Sequence, residues 1–196
     1  MAMNMGVGLA TKAERGLEYY KTPAVAAKAL LAIEGDRIPQ NVWEPACGDG
    51  AIAIWLQGSG RNVMATDIAD RGYGARHDFL GEYMTPLGAK ARGIVTNPPF
   101  SLAREFVDRS FHYSGIHYVA MLLRLSFLES QTRKSWFEAN PPARVLVSST
   151  RLPMMHREGY TGKKSTSTTA HAWFVWLRGH NEEPVIRWFD WRDHAA

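Results

Sequence analysis

The chain has 196 residues, of which 45% are hydrophobic and 21% are charged, a balance typical of one globular domain with a sizeable core. The single cysteine, Cys47, excludes a disulfide framework or a cysteine-based metal site within one chain, and no stretch is long and apolar enough to span a bilayer, so we expect a cytoplasmic protein. The formal net charge of +4 is compatible with a polyanionic partner without requiring one.

The first half of the chain predicts one helix and then alternating strands and turns. Residues 1–15 carry no such pattern, and we expect a flexible N-terminus there, followed by a single domain over 16–196. Thr22 and Pro23 are typical of a helix start, with Thr22 as the N-cap and Pro23 at the first helical position. The predicted elements are a helix over 24–32, a strand over 41–46, a tight turn over 47–50, a helix over 51–57 and a strand over 62–66 that ends at Asp67.

The second half of the chain continues the alternation of short apolar runs with helical stretches. This pattern predicts an α/β fold, a doubly wound, mostly parallel Rossmann-like sheet with late antiparallel strands at one edge. The predicted elements are a strand over 93–96, a helix over 102–110, a strand over 117–127, a helix over 129–139, a strand over 144–149, a basic loop over 152–168, and late strands over 170–177 and 185–189 that form a hairpin.

Three polar features follow predicted strands directly. They are the glycine turn over 47–50, Asp67 and Asn97. In open α/β sheets, ligands bind outside the carboxyl ends of the strands, so these features predict a binding site. Asp67 follows the glycine turn by about 20 residues, the spacing at which a carboxylate holds ribose hydroxyls. An ordinary turn with a solvated acid remains the alternative, and the G-x-G-x-x-G of dinucleotide enzymes is missing.

Four segments together resemble the S-adenosylmethionine-dependent DNA N6-adenine (amino) methyltransferases. Residues 44–50 read Glu-Pro-Ala-Cys-Gly-Asp-Gly and resemble the cofactor motif of that family. Residues 20–23, Tyr-Lys-Thr-Pro, resemble its upstream threonine-proline element, and residues 77–80, His-Asp-Phe-Leu, resemble its next element. Residues 97–100, Asn-Pro-Pro-Phe, match its Asn-Pro-Pro-aromatic tetrapeptide. The resemblance covers most of the chain, from about Tyr20 to Trp176.

The resemblance implies that S-adenosyl-L-methionine is the cofactor. The residues implied for its methionine part are Thr22 at the carboxylate and Glu44, Ala46, Cys47 and Gly48 around the rest. Those implied for its nucleoside are Asp67 at the ribose, Ile68 beside the adenine, Asp78 at the adenine amino group and Phe79 packed on the ring.

The Asn97-Pro98-Pro99-Phe100 tetrapeptide suits methyl transfer to an exocyclic amine. Such an amine is a poor nucleophile because its lone pair is delocalised into the ring. The side-chain carbonyl of Asn97 and the main-chain carbonyl of Pro98 can each accept one of its N–H bonds, which favours a pyramidal nitrogen. Pro98 and Pro99 restrict the backbone and hold that carbonyl stiffly. Phe100 can stack on a flipped base.

Each of these assignments has a structural alternative when its residues are taken alone. Residues 97–100 also fit a Pro-Pro turn before the next helix. Thr22 also fits a simple helix cap, and Asp78 with Phe79 fits a loop acid followed by a core aromatic. Cys47 fits packing and not a nucleophile, because the Pro-Cys dipeptide of the cytosine-C5 enzymes is absent.

We expect this chain to differ from the family in having no dedicated target-recognition domain. No long insertion separates Gly50 from Asn97, and little follows Trp176. We therefore expect a minimal form that acts on DNA with help from its loops, a partner subunit or a homodimer. RNA or a protein glutamine amide is the alternative substrate, since an amide nitrogen has the same lone-pair problem. A non-catalytic cofactor-binding subunit is the alternative outside the enzymes.

Positive charge concentrates around the loop over 152–168. We hypothesise that this loop touches nucleic acid; a solvated loop is the alternative. In the late strand, we expect Trp173 and Trp176 to share a face, as core packing or as a wall of the base pocket. The histidines show no metal spacing, and no metal is expected. The basic residues of the hypothesis are Arg151, Arg157, Lys163 and Lys164, with Arg144 nearby.

Overall fold

The computed structural model describes residues 19–81, 90–154 and 169–194. These ranges form an eight-stranded sheet with helices on both faces. The strands are β1 (Asn41–Glu44), β2 (Asn62–Asp67), β3 (Ala75–Arg76), β4 (Gly93–Thr96), β5 (Tyr118–Arg124), β6 (Arg144–Ser148), β7 (His171–Leu177) and β8 (Val185–Phe189). The α-helices are α1 (Ala24–Glu34), α2 (Ala53–Gly58), α3 (Ala103–His112) and α4 (Lys134–Ala139).

The strand order is β3-β2-β1-β4-β5-β7-β6-β8, and every neighbouring pair is parallel except those that include β7. The predicted fold class, a mostly parallel doubly wound sheet, is confirmed. The predicted position of the antiparallel strands is wrong, because β7 lies inside the sheet between β5 and β6. The predicted hairpin of β7 with β8 is wrong as well, since β6 separates the two strands.

Burial explains this order of the late strands. Six of the seven β7 residues are buried, so the strand needs neighbours and covering layers on all sides. The first four residues of β8 are exposed, which suits a strand at the edge of the sheet. An apolar strand in the middle and an exposed one outside leave less apolar surface in water than a hairpin at the edge.

The end of β5 also differs from the prediction. The strand stops at Arg124, and the chain turns through a 3₁₀ segment, Leu125–Leu128. The guanidinium of Arg133 donates to the carbonyl oxygens of Phe127 and Glu129, which holds that turn closed. The predicted helix over 129–139 is consequently divided into a 3₁₀ segment, Gln131–Arg133, and α4.

Side chains alternate between two apolar layers, one on each face of the sheet. Along β7, Phe174 and Trp176 enter the layer covered by α3 and α4, whereas Trp173 and Val175 enter the layer covered by α1 and α2. The expectation that Trp173 and Trp176 share a face is wrong, because three positions separate them and strands alternate every residue. Both indoles donate to core carbonyls, of Ala26 and Asn140 respectively.

A buried ion pair connects α1 to β6. The guanidinium of Arg144 donates to both carboxylate oxygens of Glu34, at 2.9 and 2.8 Å, and the Glu34 side chain is fully buried. Bidentate geometry satisfies both charges at once. Arg144 is therefore not part of the positive surface that its sequence neighbourhood suggested.

We expect Arg144→Leu to lower the free energy of unfolding by about 3 kcal/mol, because it leaves the Glu34 carboxylate buried without its main partner. Arg37, whose guanidinium lies 3.8 Å from the same carboxylate, is half exposed and replaces little of that interaction. The double variant Glu34→Leu/Arg144→Leu should recover most of the loss. Urea unfolding of the three proteins measures this, and a single variant as stable as the double one would contradict it.

Candidate active site

A cleft lies at the carboxyl ends of β1, β2 and β4, the edge at which ligands bind in open α/β sheets. It brings together segments that are far apart in sequence. Its lining includes these residues singled out from the sequence: Thr22, Glu44, Ala46, Cys47, Asp67, Ile68, Asp78, Phe79, Asn97, Pro98 and Pro99. Gly48 and Phe100 are not among the lining residues, but each directly follows one, Cys47 and Pro99.

The glycine turn and Asp67 form one hydrogen-bonded unit. Gly48 has φ +55°, and its N–H donates to Asp67 Oδ2 at 2.8 Å. The N–H of Ala69 donates to Asp67 Oδ1 at 3.0 Å, so two main-chain donors orient the carboxylate. A Cβ at position 48 would overlap the Tyr19 ring, so the turn requires glycine for both conformation and space.

Glu44 is a buried acid with an unsatisfied oxygen. Its Oε2 is buried and has no hydrogen-bond partner among the described residues. Burial is the main reason why the pKa of this carboxyl lies well above its usual value. A ligand that offers an ammonium group here would satisfy the oxygen and restore the carboxylate.

Cys47 is a packing residue. Its side chain is buried, and the thiol donates to the Tyr73 carbonyl oxygen at 3.3 Å. Burial, followed by the charge of Glu44, raises the pKa of the thiol to about 12. A thiol with such a pKa is a poor nucleophile, in agreement with the interpretation from sequence.

Asp78 and Phe79 combine a turn with a core aromatic beside the cleft. Asp78 Oδ1 accepts from the N–H groups of Leu80 and Gly81, both at 3.0 Å. The Phe79 ring is buried and packs 4.9 Å from Phe106 and edge-on against Trp43. Both residues also line the cleft, so their structural roles, a turn acid and a core aromatic, leave them able to contact a ligand as well.

Asn97 has a fixed amide orientation. Its Nδ2 donates to the Tyr20 carbonyl oxygen and to Thr22 Oγ1, each at 3.0 Å. Because a main-chain carbonyl can only accept, the NH₂ group must point to Tyr20 and the carbonyl oxygen away from it. That oxygen, Oδ1, is buried and has no partner among the described residues. The side chain thus holds an unused acceptor at the wall of the cleft.

Thr22 does not cap α1, contrary to the prediction. Pro23 is the N-cap residue, with φ −67° and ψ 140°, and no side chain caps the helix. The Thr22 hydroxyl is instead committed as an acceptor to Asn97, and its own O–H remains able to donate into the cleft. The Thr22-Pro23 pattern predicts the helix start correctly, but the prediction that the Thr22 hydroxyl caps the helix is wrong.

Tyr19, Tyr20 and Thr22 line one wall of the cleft, a role that the sequence analysis missed for Tyr19. The ammonium of Lys21 lies 2.6 Å from Asp49 Oδ2 in the glycine turn. The guanidinium of Arg71 lies 4.2 Å from the centroid of the Tyr19 ring. This segment therefore joins the glycine turn at one end to Asn97 at the other.

Phe100 lies in a cluster of rings beside the cleft. Its ring stacks on Tyr20, with centroids 5.2 Å apart and planes at 20°, and contacts His171 at 5.3 Å. The Arg124 guanidinium lies 4.8 Å from its centroid. The sequence analysis did not single out Arg124 or His171. Arg124 ends β5 at the sheet edge that carries Asn97, so the rule that ligands bind at the carboxyl ends of strands applies to it. His171 begins the antiparallel β7, and only the pairing of that strand with β5 places it at this edge.

The basic loop is only partly described. Arg151 is exposed, and its main-chain oxygen accepts from the Trp191 indole. Arg157, Lys163 and Lys164 lie outside the described residues, so their contact with nucleic acid stays a hypothesis. In the described ranges, no group of three or more His, Cys, Asp or Glu side chains is placed to hold a metal ion. No helix there combines the length and apolarity that crossing a membrane requires.

Comparison with known proteins finds one curated relative and many related structures. No family model matches the chain. The ribosomal RNA small subunit methyltransferase C of Alcanivorax borkumensis is 29% identical over an alignment of 93 positions that covers 41% of this chain and 29% of that protein. The chain thus matches less than a third of the length of this relative.

Two solved structures share the fold. A Pyrococcus horikoshii protein proposed to be an RNA methyltransferase is 16% identical with a TM-score of 0.61, over 83% of this chain and 88% of that one. A methyltransferase subunit of a type I restriction-modification system from Streptococcus thermophilus is 14% identical with a TM-score of 0.63, over 87% of this chain and 48% of that one. These likenesses show a Rossmann-like methyltransferase fold.

We expect His171 to make the protein less stable in weak acid. Burial, followed by the charge of Arg124, lowers the pKa of this imidazole to about 4 from its usual 6.5. Between these pH values the unfolded chain binds the proton and the folded chain does not, so the free energy of unfolding falls as the pH decreases through that window, by about 3 kcal/mol in total.

Urea unfolding between pH 7 and pH 4 of the wild type and of His171→Gln checks this expectation. The variant should lose less stability than the wild type below about pH 6.5. His117→Gln, at an exposed histidine, is the matched control and should follow the wild type. Superimposed curves for the wild type and His171→Gln would refute the assignment.

Proposed function

We propose that this chain is an S-adenosyl-L-methionine-dependent methyltransferase that acts on an exocyclic amino nitrogen, N6 of adenine in DNA. The observation that carries the proposal is the Asn97 amide, whose NH₂ group is held by Tyr20 and Thr22 while Oδ1 lacks a partner. An acceptor held in this way at the wall of the cleft suits an N–H donor on the substrate.

The described residues fit the methionine part of this cofactor. The unsatisfied Oε2 of Glu44 suits the ammonium group, and the O–H of Thr22 can donate to the carboxylate. Ala46, Cys47 and Gly48 offer small side chains or none, so the ligand can approach the main chain closely.

The nucleoside part fits the other end of the cleft. A carboxylate has about four acceptor positions, and main-chain N–H groups use two on Asp67, so ribose hydroxyls can occupy the others. Ile68 is exposed and Phe79 buried, which suits the open side and the inner edge of an adenine. Asp78 also lines the cleft, where its carboxylate suits the adenine amino group.

When bound, the cofactor supplies a sulfonium methyl group as the electrophile. Asn97 Oδ1 and the main-chain oxygen of Pro98 accept the two N–H bonds of the target amine, and these bonds favour the pyramidal nitrogen that can attack. Pro98 and Pro99 hold their backbone stiffly, so little reorganisation is needed at the moment of transfer. Positioning of the amine, rather than a strong base, is therefore the main contribution of the chain.

The likeness to a restriction-modification methyltransferase subunit supports DNA as the substrate. We further propose that a partner subunit or a second copy of the chain contributes target recognition, and that the loop over 152–168 contacts the nucleic acid. RNA is the second candidate, favoured by the match to a ribosomal RNA methyltransferase and by the fold shared with the Pyrococcus protein.

Methyl transfer with a radiolabelled cofactor tests the proposal directly. DNA, RNA and ribosomal protein are offered separately, and we expect label on adenine N6 in DNA. Label on RNA alone would support the second candidate. Label on protein, or cofactor binding without transfer to any substrate, would contradict the proposed function, and the latter would indicate a non-catalytic subunit.

We expect Asn97→Ala to reduce kcat by about a hundredfold or more, since one positioned acceptor for the reacting amine is lost. Its cofactor dissociation constant, measured by calorimetry, should change little. Asp67→Ala should show the opposite pattern, with weaker cofactor binding first. Asp70→Ala, at an exposed acid of the same loop, is the control for both. Near-normal turnover of Asn97→Ala would exclude the role given to its amide.

A further inference from the structure

Arg124 ends β5 at the sheet edge that carries Asn97. β5 pairs with β4, and β4 leads into Asn97, so both residues lie at the same edge of the sheet. The Arg124 guanidinium lies 4.8 Å from the Phe100 ring centroid and 5.8 Å from that of Tyr20. The side chain is half buried, and its cation is held against the aromatic cluster.

This guanidinium has no anion or hydrogen-bond acceptor in the part of the chain that the structure describes. Its interactions there are the two ring contacts. Three other arginines differ in this respect. Arg133 and Arg178 donate to main-chain oxygens, and Arg144 donates to Glu34. Arg124 thus keeps all five N–H donors available at the edge of the cleft.

The surroundings of Arg124 do not neutralise its charge. Its partner across the β5–β7 ladder is His171, which is buried, and its other neighbours are the rings of Phe100 and Tyr20. A partly desolvated cation is stabilised by an anion that arrives with the substrate. Arginine suits this role because its planar fork binds phosphate oxygens in pairs.

We propose that Arg124 binds a phosphate of the nucleic-acid strand next to the reacting nucleobase. This inference rests on the proposed function and deepens it, because it favours nucleic acid over a protein amide. A flipped nucleotide carries a phosphate on each side of its sugar, so a cation at the rim of the base site meets one whatever the target sequence. A glutamine side chain brings no such anion.

The experiment compares Arg124→Gln with Arg187→Gln. Both variants remove one positive charge, but Arg187 is exposed on β8 at the far edge of the sheet. Fluorescence anisotropy measures the binding of duplex and single-stranded oligonucleotides to the full chain over a series of salt concentrations. Cofactor affinity and thermal unfolding are measured in parallel to show that each variant is folded.

For Arg124→Gln we expect affinity about tenfold weaker. The slope of log K against log salt should become shallower by about 0.9 on duplex and about 0.7 on single strands. KM for the nucleic acid should rise with little change in kcat. Arg187→Gln should match the wild type in all three measurements. Arg124→Met, which keeps the apolar stem over Phe100, is a second neutral variant and should behave like Arg124→Gln.

Three results would overturn the proposal. One is a slope of log K against log salt that is the same in the Arg124 variants and the wild type. A slope that changes equally little in the Arg124 and Arg187 variants counts as the same result. Another is an unchanged slope with an altered base preference, which would indicate a contact to a base edge. The third is binding and methylation of protein alone. If Arg124 changes the slope as expected but the wild type transfers no methyl group, the phosphate contact stands and the proposed function fails.

Discussion

The orientation of one amide connects most of the features of this site. Asn97 sits where β4 ends, and its NH₂ group is held by main-chain and side-chain oxygens of the segment that precedes α1. That segment is itself held by the contact of Lys21 with Asp49 in the glycine turn. A main-chain N–H of this turn donates a hydrogen bond to Asp67 at the end of β2. The position of the Asn97 oxygen therefore depends on three separate parts of the chain.

The sheet makes this dependence possible. The carboxyl ends of parallel strands lie at one edge of the sheet, so β1, β2 and β4 place the glycine turn, Asp67 and Asn97 side by side, although Asn97 follows the end of the turn by 47 positions. The antiparallel β7 adds His171 at the same edge because its N-terminal end lies there. Packing on both faces by α1 and α3 then fixes the strands, and with them the ends that carry the site.

The sequence predicts those features of this arrangement that depend on neighbouring residues, and it does not predict those that depend on residues far apart in the chain. The strand and helix periods, the glycine turn and the strand-end positions of Asp67 and Asn97 are local patterns, and the predicted β4 matches the observed strand. The partner of the Thr22 hydroxyl is not local, because the residue that donates to it lies 75 positions away. The position of β7 between β5 and β6 is not a local signal either, because it depends on which of the three late strands has the most apolar surface to bury.

Several of the described polar groups at this edge have no hydrogen-bond partner, and three of them, each with a different chemistry, bear on the choice of substrate. Glu44 Oε2 and Asn97 Oδ1 are buried acceptors, and Arg124 is a cation with unused donors. Each costs stability, since buried polar groups without partners are unfavourable and the core could hold apolar residues there instead. Their costs are offset together when one complex brings an ammonium, an amine N–H and a phosphate to the three positions. A cofactor with an amino-acid moiety and a nucleotide substrate supply these three groups, whereas a protein amide supplies only the second beside the same cofactor. Under the proposed function, these three groups therefore favour a nucleotide substrate over a protein amide, whereas the Asn-Pro-Pro-Phe tetrapeptide alone fits both.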